Sequence, residues 1–227
     1  MSEAGGKLYV VPTPIGNLED ITLRALRILK EVDMIAAEDT RHSLRLLQHY
    51  EISKPIVSYH QFNEAKRTAE FVEQFAQGKK IALISDAGTP GISDPGYRVI
   101  SQCIKAGVPV EVLPGPSALI TALVGSGLPT DSFYYAGFLP VKSGQRNKLL
   151  ISLAGIEATL VFYESPYRLI KSLEEIAVVF PERNVVVARE LSKIYEEYFR
   201  GKAKDAIQYF NQKTVKGEIV LLISGNV

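Results

Sequence analysis

Cysteine is nearly absent from this sequence, and its potential metal ligands are scattered. Cys103 is the single cysteine among 227 residues, so the chain forms no internal disulfide. No cysteine or histidine stands at the spacing of a metal-binding motif, and we therefore predict a site without metal. Cys103 lies among the apolar positions of "YRVISQCIKAG", which predicts a buried thiol that packs in the core.

Long apolar runs and an excess of one charge are also missing. No run approaches the ~18 apolar residues of a membrane span, and "MSEAGGKLYVV" lacks the charged start and long apolar segment of a signal peptide. We therefore predict a cytoplasmic protein without a membrane partner. The 26 Lys and Arg residues balance 25 Asp and Glu residues, which leaves a net charge of +1. Any surface for nucleic acid must therefore be a local basic patch.

The two common nucleotide-binding motifs are absent as well, since neither GxxxxGK[ST] nor GxGxxG occurs. Strand-like and helix-like segments instead alternate from "LYVV" to "GEIVLLISG", which predicts an α/β fold built on parallel sheets. The texture changes where the apolar "GPSALITALVGSG", predicted as a helix buried on most sides, gives way to the aromatic "SFYYAGFLP". We predict two α/β domains, 1–115 and 116–227, which pack closely and leave a cleft.

Three junctions join a strand to a helix through a loop rich in glycine or proline. They are "VVPTPIGNLEDIT" at 10–22, "SDAGTPGISDPG" at 85–96 and "LPGPSALI" at 113–120. The glycines of the second junction permit close approach of a ligand to the backbone, and Asp86 at the strand end can accept hydrogen bonds. Such loops converge on one crevice at the carboxyl edge of a sheet. The alternative is a tight turn in which Asp94 and Pro95 begin the next helix.

Seven segments together carry a family resemblance. They are "PTPIGNLEDIT", "AAEDTRHSLRLL", "SYHQFNE", "SDAGTPGISDPG", "PGPSALITAL", "FYESPYR" and "ARELSKIYEE". Over about residues 8–224 the chain resembles the tetrapyrrole-methylase-like class of S-adenosylmethionine-dependent methyltransferases, and within it the ribosomal RNA small subunit methyltransferase I group. The resemblance implies a two-domain fold with the cofactor cleft between the domains, and a homodimer. It also implies 2′-O-methylation of a cytidine in the decoding centre of 16S rRNA, with the rRNA or the small ribosomal subunit as partner.

The resemblance further implies which residues act. Those placed around S-adenosylmethionine are Pro14, Asp86, Gly88, Thr89, Ser117, Ala118, Phe162, Tyr163, Ala188 and Arg189. Those facing RNA are Arg41, His42, Arg45, Asn63 and Glu64. A ribose hydroxyl is a poor nucleophile, so a base or a cation should assist its deprotonation. The candidates for that role are Lys193, Glu190 and His60. Members of the group continue past the last strand into a further helical segment, whereas this sequence ends at "LLISGNV".

Each of these assignments has a structural alternative. Glu190 and Lys193 are equally compatible with a solvated salt bridge at a strand end, and His60 with a hydrogen-bonded structural histidine. The basic helix start is also typical of an ordinary amphipathic helix, and Asn63 and Glu64 of a helix cap. Two other functions stay open, a small-molecule tetrapyrrole methylase and a nucleotide-binding module without catalysis.

Overall fold

The computed structural model of the chain describes residues 5–226. The predicted absence of a signal peptide therefore falls partly on residues 1–4, which lie outside the described residues. Contacts divide the chain into two compact units, Met1–Ser117 and Ala118–Val227. Within the described range, no helix is long and apolar enough to cross a bilayer.

The first unit holds a parallel sheet of five strands in the order β3-β2-β4-β1-β5. Its strands are β1 (Lys7–Val10), β2 (Met34–Ala37), β3 (Ile56–Ser58), β4 (Lys80–Ile84) and β5 (Val110–Val112). Its helices are α1 (Leu23–Glu31), α2 (Thr40–His49), α3 (Glu64–Ala76) and α4 (Tyr97–Lys105). Each helix connects two strands that run parallel in this sheet, as crossover connections require. The α/β prediction is confirmed for this unit.

Both faces of the first sheet are buried, because successive strand residues point to opposite faces and both sets are apolar. One cluster joins Tyr9 and Ile84 to residues of α1 and α2. The other joins Leu8 and Leu83 to residues of α3 and α4, among them Cys103. The predicted burial of this thiol is confirmed, and burial raises its pKa to about 11.

The second unit holds a mixed sheet in the order β6-β7-β10-β8-β9. Its strands are β6 (Phe133–Phe138), β7 (Thr159–Glu164), β8 (Asn184–Arg189), β9 (Glu197–Lys202) and β10 (Ile219–Ile223). Its helices are α5 (Ala118–Ser126), α6 (Ser143–Ser152), α7 (Leu169–Val179) and α8 (Ala203–Asn211). The two-domain α/β prediction is confirmed, whereas the expectation of parallel pairing is wrong for β7–β10, β10–β8 and β8–β9. The link 190–196 between β8 and β9 is too short for a parallel crossover.

One face of the second sheet packs against α6, α7 and α8, and α5 contacts β8, β9 and β10. Leu119 and Leu123 of α5 are buried, but Ile120 is 47% and Val124 70% exposed. The prediction that α5 is buried on most sides is therefore wrong, because only one face of this helix packs against the sheet.

Candidate functional site

The three glycine- and proline-rich junctions meet at the carboxyl edge of the first sheet. Thr13 and Gly88 exchange two backbone hydrogen bonds, each of 2.9 Å, which join the first junction to the second. Thr89 Oγ1 donates to the Pro116 carbonyl oxygen at 3.2 Å, which joins the second to the third. The predicted convergence of these loops is therefore confirmed within the first unit, as the shared direction of parallel strands requires.

Two glycines are required by the backbone of these junctions. Gly88 has a φ of +77°, a conformation that residues with a Cβ rarely adopt. A Cβ at Gly115 would lie 2.7 Å from the Cβ of Pro12, so a side chain there would displace the first junction. At these two positions no side chain covers the backbone at the sheet edge. A small ligand can therefore approach the main-chain groups.

Carboxylates gather beside this backbone. Asp86 Oδ1 accepts a hydrogen bond from the Asp39 backbone N–H at 3.1 Å, which links the end of β4 to the start of α2. Burial, followed by the charges of Asp94 and Asp86, raises the pKa of the neighbouring Glu38 carboxyl to about 7. Asp86 therefore has a structural partner besides any ligand, and Glu38 changes its charge near neutral pH.

Sequence reasoning missed Glu38. In the sequence, the signal for Glu38 is the acidic pair that ends "AAED" directly after a buried strand. In the sheet, β2 lies next to β4, with Ala37 opposite Ile84. That register places Glu38 beside the residues that follow β4. The pairing order of the strands was needed to recognise this, because β2 and β4 are separated in sequence by β3.

The start of α2 carries the predicted basic surface. Asp39 caps this helix by accepting from the Arg41 backbone N–H at 2.8 Å, and its carboxylate pairs with Arg41 Nη2 at 3.0 Å. These hydrogen bonds lower the pKa of Asp39 to about 2. The Arg41 side chain is nevertheless 89% exposed, and His42 and Arg45 are also exposed. The structure therefore leaves these three side chains accessible to a large partner.

The loop that follows β3 holds His60 in place. Asn63 Oδ1 accepts from the His60 backbone N–H at 2.9 Å, and Asn63 Nδ2 donates to the Ser58 carbonyl oxygen at 3.1 Å. These two hydrogen bonds fix the orientation of the Asn63 amide. Asn63 Nδ2 lies 3.2 Å from His60 Nε2 and is the donor to that nitrogen. His60 Nδ1 is buried without a partner among the described residues. Both ring nitrogens are thus shielded, which favours the structural alternative for His60.

Glu64 links the same loop to the second junction, because its Oε1 accepts from the Gly96 backbone N–H at 3.2 Å. Asn63 stands directly before α3 but makes no side-chain cap hydrogen bond. The two residues therefore brace neighbouring loops of the sheet edge rather than cap the helix that follows them.

The other residues predicted to bind the donor, Ala118, Phe162, Tyr163, Ala188 and Arg189, belong to the second unit. Phe162 and Ala188 are both 0% exposed, and both lie on strands that pair with β10, so neither residue offers a free surface to a ligand. The ring of Tyr163 meets Tyr135 and Phe138 edge to face, with centroid separations of 5.3 and 5.5 Å. Arg189 forms an ion pair with Glu197 and donates to the Lys216 carbonyl oxygen. The side chains of Tyr163 and Arg189 are thus already engaged in contacts within the second unit.

Lys193 stands between two carboxylates. Its Nζ lies 2.9 Å from Glu190 Oε1 and 3.0 Å from Glu218 Oε2. Burial lowers the pKa of Lys193, but the hydrogen bonds with these carboxylates outweigh burial and leave the pKa raised. Burial likewise raises the pKa of Glu190, and Lys193 reverses this so that the net shift is downward. The salt-bridge alternative is therefore present, and Lys193 is a cation rather than a base at neutral pH.

The loop at 190–196 is strained. Glu190 and Ser192 have φ values of 51° and 62°, which non-glycine residues rarely adopt. The Glu218 backbone N–H donates to Glu190 Oε1 at 3.2 Å, and the Ser192 N–H donates to Glu196 Oε2 at 2.8 Å. Sequence reasoning missed Glu218, because it reaches Glu190 only through the pairing of β8 with β10.

A metal centre has no obvious ligand set in the described part of the chain. Residues 5–226 hold no group of three or more His, Cys, Asp or Glu side chains arranged to bind an ion.

Known proteins resemble the chain over nearly its whole length. The profile of the tetrapyrrole (corrin/porphyrin) methylases matches residues 7–207. A ribosomal RNA small subunit methyltransferase I of Halalkalibacterium halodurans is 48% identical over 97% of this chain and 76% of its own length. The protein of that name from Thermotoga maritima is also 48% identical, over 97% of this chain and 99% of its own length. Relatives of one name thus differ in length, and the expectation that members of the group continue past the last strand is wrong for the Thermotoga maritima protein.

A solved structure shares the fold. The uroporphyrin-III C-methyl transferase of Thermus thermophilus, complexed with S-adenyl homocysteine, has a TM-score of 0.66 and 21% sequence identity. The alignment covers 96% of this chain and 97% of that one. At this identity the likeness concerns the arrangement of the elements alone.

Proposed function

Because the chain belongs to the tetrapyrrole methylase family, and within it to the ribosomal RNA small subunit methyltransferase I group, we propose that it methylates ribosomal RNA. In this proposal the methyl donor is S-adenosylmethionine, and the acceptor is the 2′-oxygen of a cytidine in the decoding centre of 16S rRNA. The observation that carries it is the 48% identity to two enzymes of that name over 97% of the chain. We also propose that the protein acts in the cytoplasm.

The residues at the first sheet edge fit the proposed donor. S-adenosylmethionine supplies a methyl group on a sulfonium, and its amino acid and nucleoside ends need hydrogen-bond partners. The positive φ of Gly88 and the crowding at Gly115 keep backbone groups bare, and Asp86 offers a carboxylate oxygen. The proposed donor-binding residues are Pro14, Asp86, Gly88, Thr89, Ser117, Ala118, Phe162, Tyr163, Ala188 and Arg189. Holding the reacting groups in line lowers the barrier without covalent help from the protein.

Two kinds of side chain act on the ribose hydroxyl in this proposal. Glu190 is a candidate proton acceptor, because its carboxylate lies 2.9 Å from Lys193 in the same loop. Lys193, held by Glu190, favours the developing oxyanion through its charge. His60 stays a candidate for positioning, since both of its ring nitrogens are shielded.

The proposed RNA surface is the start of α2 and the loop that precedes α3. Arg41, His42 and Arg45 are exposed there, and cationic side chains meet phosphates without regard to base sequence. Asn63 and Glu64 follow on the neighbouring loop. A basic surface supports an RNA acceptor over a tetrapyrrole, which needs a wide apolar trough.

We also propose a homodimer. Exposed apolar side chains lie on α5, at Ile120 and Val124, and on the edge strand β6, at Phe133, Tyr134 and Phe138. An unpaired edge strand with exposed aromatic residues is an unfavourable surface for a monomer. Light scattering after size exclusion tests this, and a mass of one chain at micromolar concentration contradicts it.

The function is tested by labelled methyl transfer from S-adenosylmethionine. The acceptors to compare are small ribosomal subunits lacking the modification, naked 16S rRNA and uroporphyrinogen. We expect label in one of the RNA acceptors, at a cytidine ribose, undiminished by excess chelator. Label in uroporphyrinogen alone supports the tetrapyrrole methylase. Donor binding without transfer to any acceptor supports a module without catalysis.

A further inference from the structure

Four connections of the second unit end at one edge of its sheet. Ile219 at the start of β10 pairs with Glu164 at the end of β7 and with Arg189 at the end of β8. Phe138 at the end of β6 pairs with Tyr163. The turn 165–168 therefore lies between the segment after β6 and the segment before β10, and neighbouring strands are about 5 Å apart.

The buried carboxylate of Glu164 fixes the turn 165–168 that follows it. The Glu164 side chain is 0% exposed and pairs with Arg168 Nη2 at 2.6 Å. It also accepts from the Ser165 backbone N–H at 2.7 Å and from the Ser172 hydroxyl. Arg168 Nη1 donates to the Leu139 carbonyl oxygen at 3.0 Å, which ties the turn to the segment after β6. Such a network fixes one conformation of the turn.

The large side chain on this fixed turn faces solvent. Tyr167 is 93% exposed, although Ser165 and Arg168 of the same turn are held by Glu164. The turn therefore presents an aromatic ring at a defined place without burying any of it in the fold. Because the main chain of the turn is fixed before binding, covering the ring requires no ordering of the backbone.

Two exposed lysines stand on the segments next to the turn 165–168. Lys142 lies after β6 and Lys216 before β10, and both are exposed. The other cations of this edge, Arg168, Arg189 and Lys193, form ion pairs. Within residues 5–226, Lys142 and Lys216 have no such carboxylate partner. An exposed aromatic ring on a turn whose two neighbouring segments each carry an exposed lysine matches a base with its neighbouring phosphates.

We propose that Tyr167 stacks on an unpaired base of the RNA substrate while Lys142 and Lys216 contact phosphates on either side. Glu164 and Arg168 are positioning residues that fix the turn. The inference rests on the proposed function and adds a second RNA-binding surface to the one at α2. It identifies the substrate region as single-stranded, since a base within a duplex has no free face.

The sequence contains no tryptophan, so Tyr167→Trp gives a single-tryptophan protein. We expect its fluorescence to be quenched on titration with an unmodified single-stranded rRNA fragment, but not with S-adenosylmethionine. The matched control is Val178→Trp, which lies 80% exposed at the far end of α7. We expect that tryptophan to be unaffected by RNA.

Affinity measurements separate stacking from simple apolar contact. We expect Tyr167→Ala and Tyr167→Leu to weaken RNA binding by about 5- to 150-fold, the range for loss of one stacked base. Tyr167→Phe keeps the ring and should bind like the wild type. Donor affinity should stay the same in all three. Lys142→Ala with Lys216→Ala should flatten the slope of log K against log salt by about 0.7 per lost contact.

The outcomes distinguish this inference from the function itself. If the wild type methylates rRNA while the tryptophan at 167 is not quenched and Tyr167→Ala binds normally, the stacking proposal is wrong and the function stands. If the wild type neither binds nor methylates rRNA, both are wrong. Quenching that follows protein concentration without RNA identifies this surface as a contact between two copies of the chain, which also overturns the proposal.

Discussion

The carboxyl edge of the first sheet and the corresponding edge of the second are built by different means. The first is shaped by backbone, through glycine conformation and the hydrogen bonds between Thr13 and Gly88. The second is shaped by side chains, through the ion pairs of Glu164 with Arg168 and of Glu190 with Lys193. Positive φ occurs at both edges, at Gly88 and Ser93 in the first unit's second junction and at Glu190 and Ser192 in the second unit.

This difference determines how each edge responds to mutation. Removing a carboxylate from the first edge removes a ligand partner and leaves most of the backbone framework in place. Removing one from the second edge leaves its partner charge unpaired and releases a turn. We therefore expect losses of binding at the first edge and losses of stability or turnover at the second.

The largest effect is expected from Glu164→Ala. This change leaves Arg168 partly buried without its carboxylate, and breaking a buried ion pair costs about 3–5 kcal/mol of unfolding free energy. Urea unfolding followed by circular dichroism measures it. Asp86→Ala is the control from the other edge and should cost less than half as much. Equal losses at the two sites would remove the distinction between the edges.

Lys193→Ala should act on turnover. Without the cation held by Glu190 and Glu218, we expect single-turnover methyl transfer to fall about 100-fold, the scale for removing one group that stabilises developing charge. Affinities for donor and RNA should be retained. Glu218→Gln leaves the pair with Glu190 and should have a smaller effect. A rate within threefold of the wild type would exclude Lys193 from the reaction.

Asp86→Ala should weaken donor binding by about 1.5–3 kcal/mol, the range for hydrogen bonds to a charged group. Calorimetry with S-adenosylmethionine measures this, and RNA affinity should barely change. Asp131→Ala, an exposed carboxylate of the second unit, is the control. Normal donor binding by Asp86→Ala would contradict the assignment of the donor site to the first sheet edge.

Arg41→Ala should weaken RNA binding while donor binding stays intact. Each lost phosphate contact should flatten the slope of log K against log salt by about 0.7–0.9. Arg45→Ala should behave alike, since both side chains are exposed on α2. Arg27→Ala, on α1 and paired with Glu31, serves as the control and should leave the slope unchanged. Poor donor binding with normal RNA binding by Arg41→Ala would reverse the proposed roles.

The last expected effect is the pH dependence of stability at Glu38. Its pKa is about 7 in the folded chain and near 4.5 when unfolded, so the folded state binds more protons between these values. Glu38 therefore makes stability fall as pH rises through this window, and the loss is complete above it. Glu38→Gln should be more stable than the wild type at pH 8 but not at pH 4. The exposed Glu51→Gln is the control, and parallel pH profiles for all three proteins would contradict the shift.

The sequence alone determined the features that depend on local chemistry. Alternating strand and helix patterns predicted an α/β chain in two domains, and glycine with proline marked the three junctions, because turn geometry is encoded in neighbouring residues. The quoted segments were sufficient to identify the family. The burial of Cys103 followed from its apolar helix positions.

Only the tertiary structure decided what depends on strand pairing. The antiparallel insertion of β10 between β7 and β8 brings Glu218 to Glu190, and no local pattern announces a contact across 28 residues. The pairing of β2 with β4 likewise places Glu38 near Asp86 and raises its pKa. Whether a charged residue is a base, a cation or half of an ion pair depends on its burial and partners. Those are set by long-range packing, which the sequence specifies only through the whole fold.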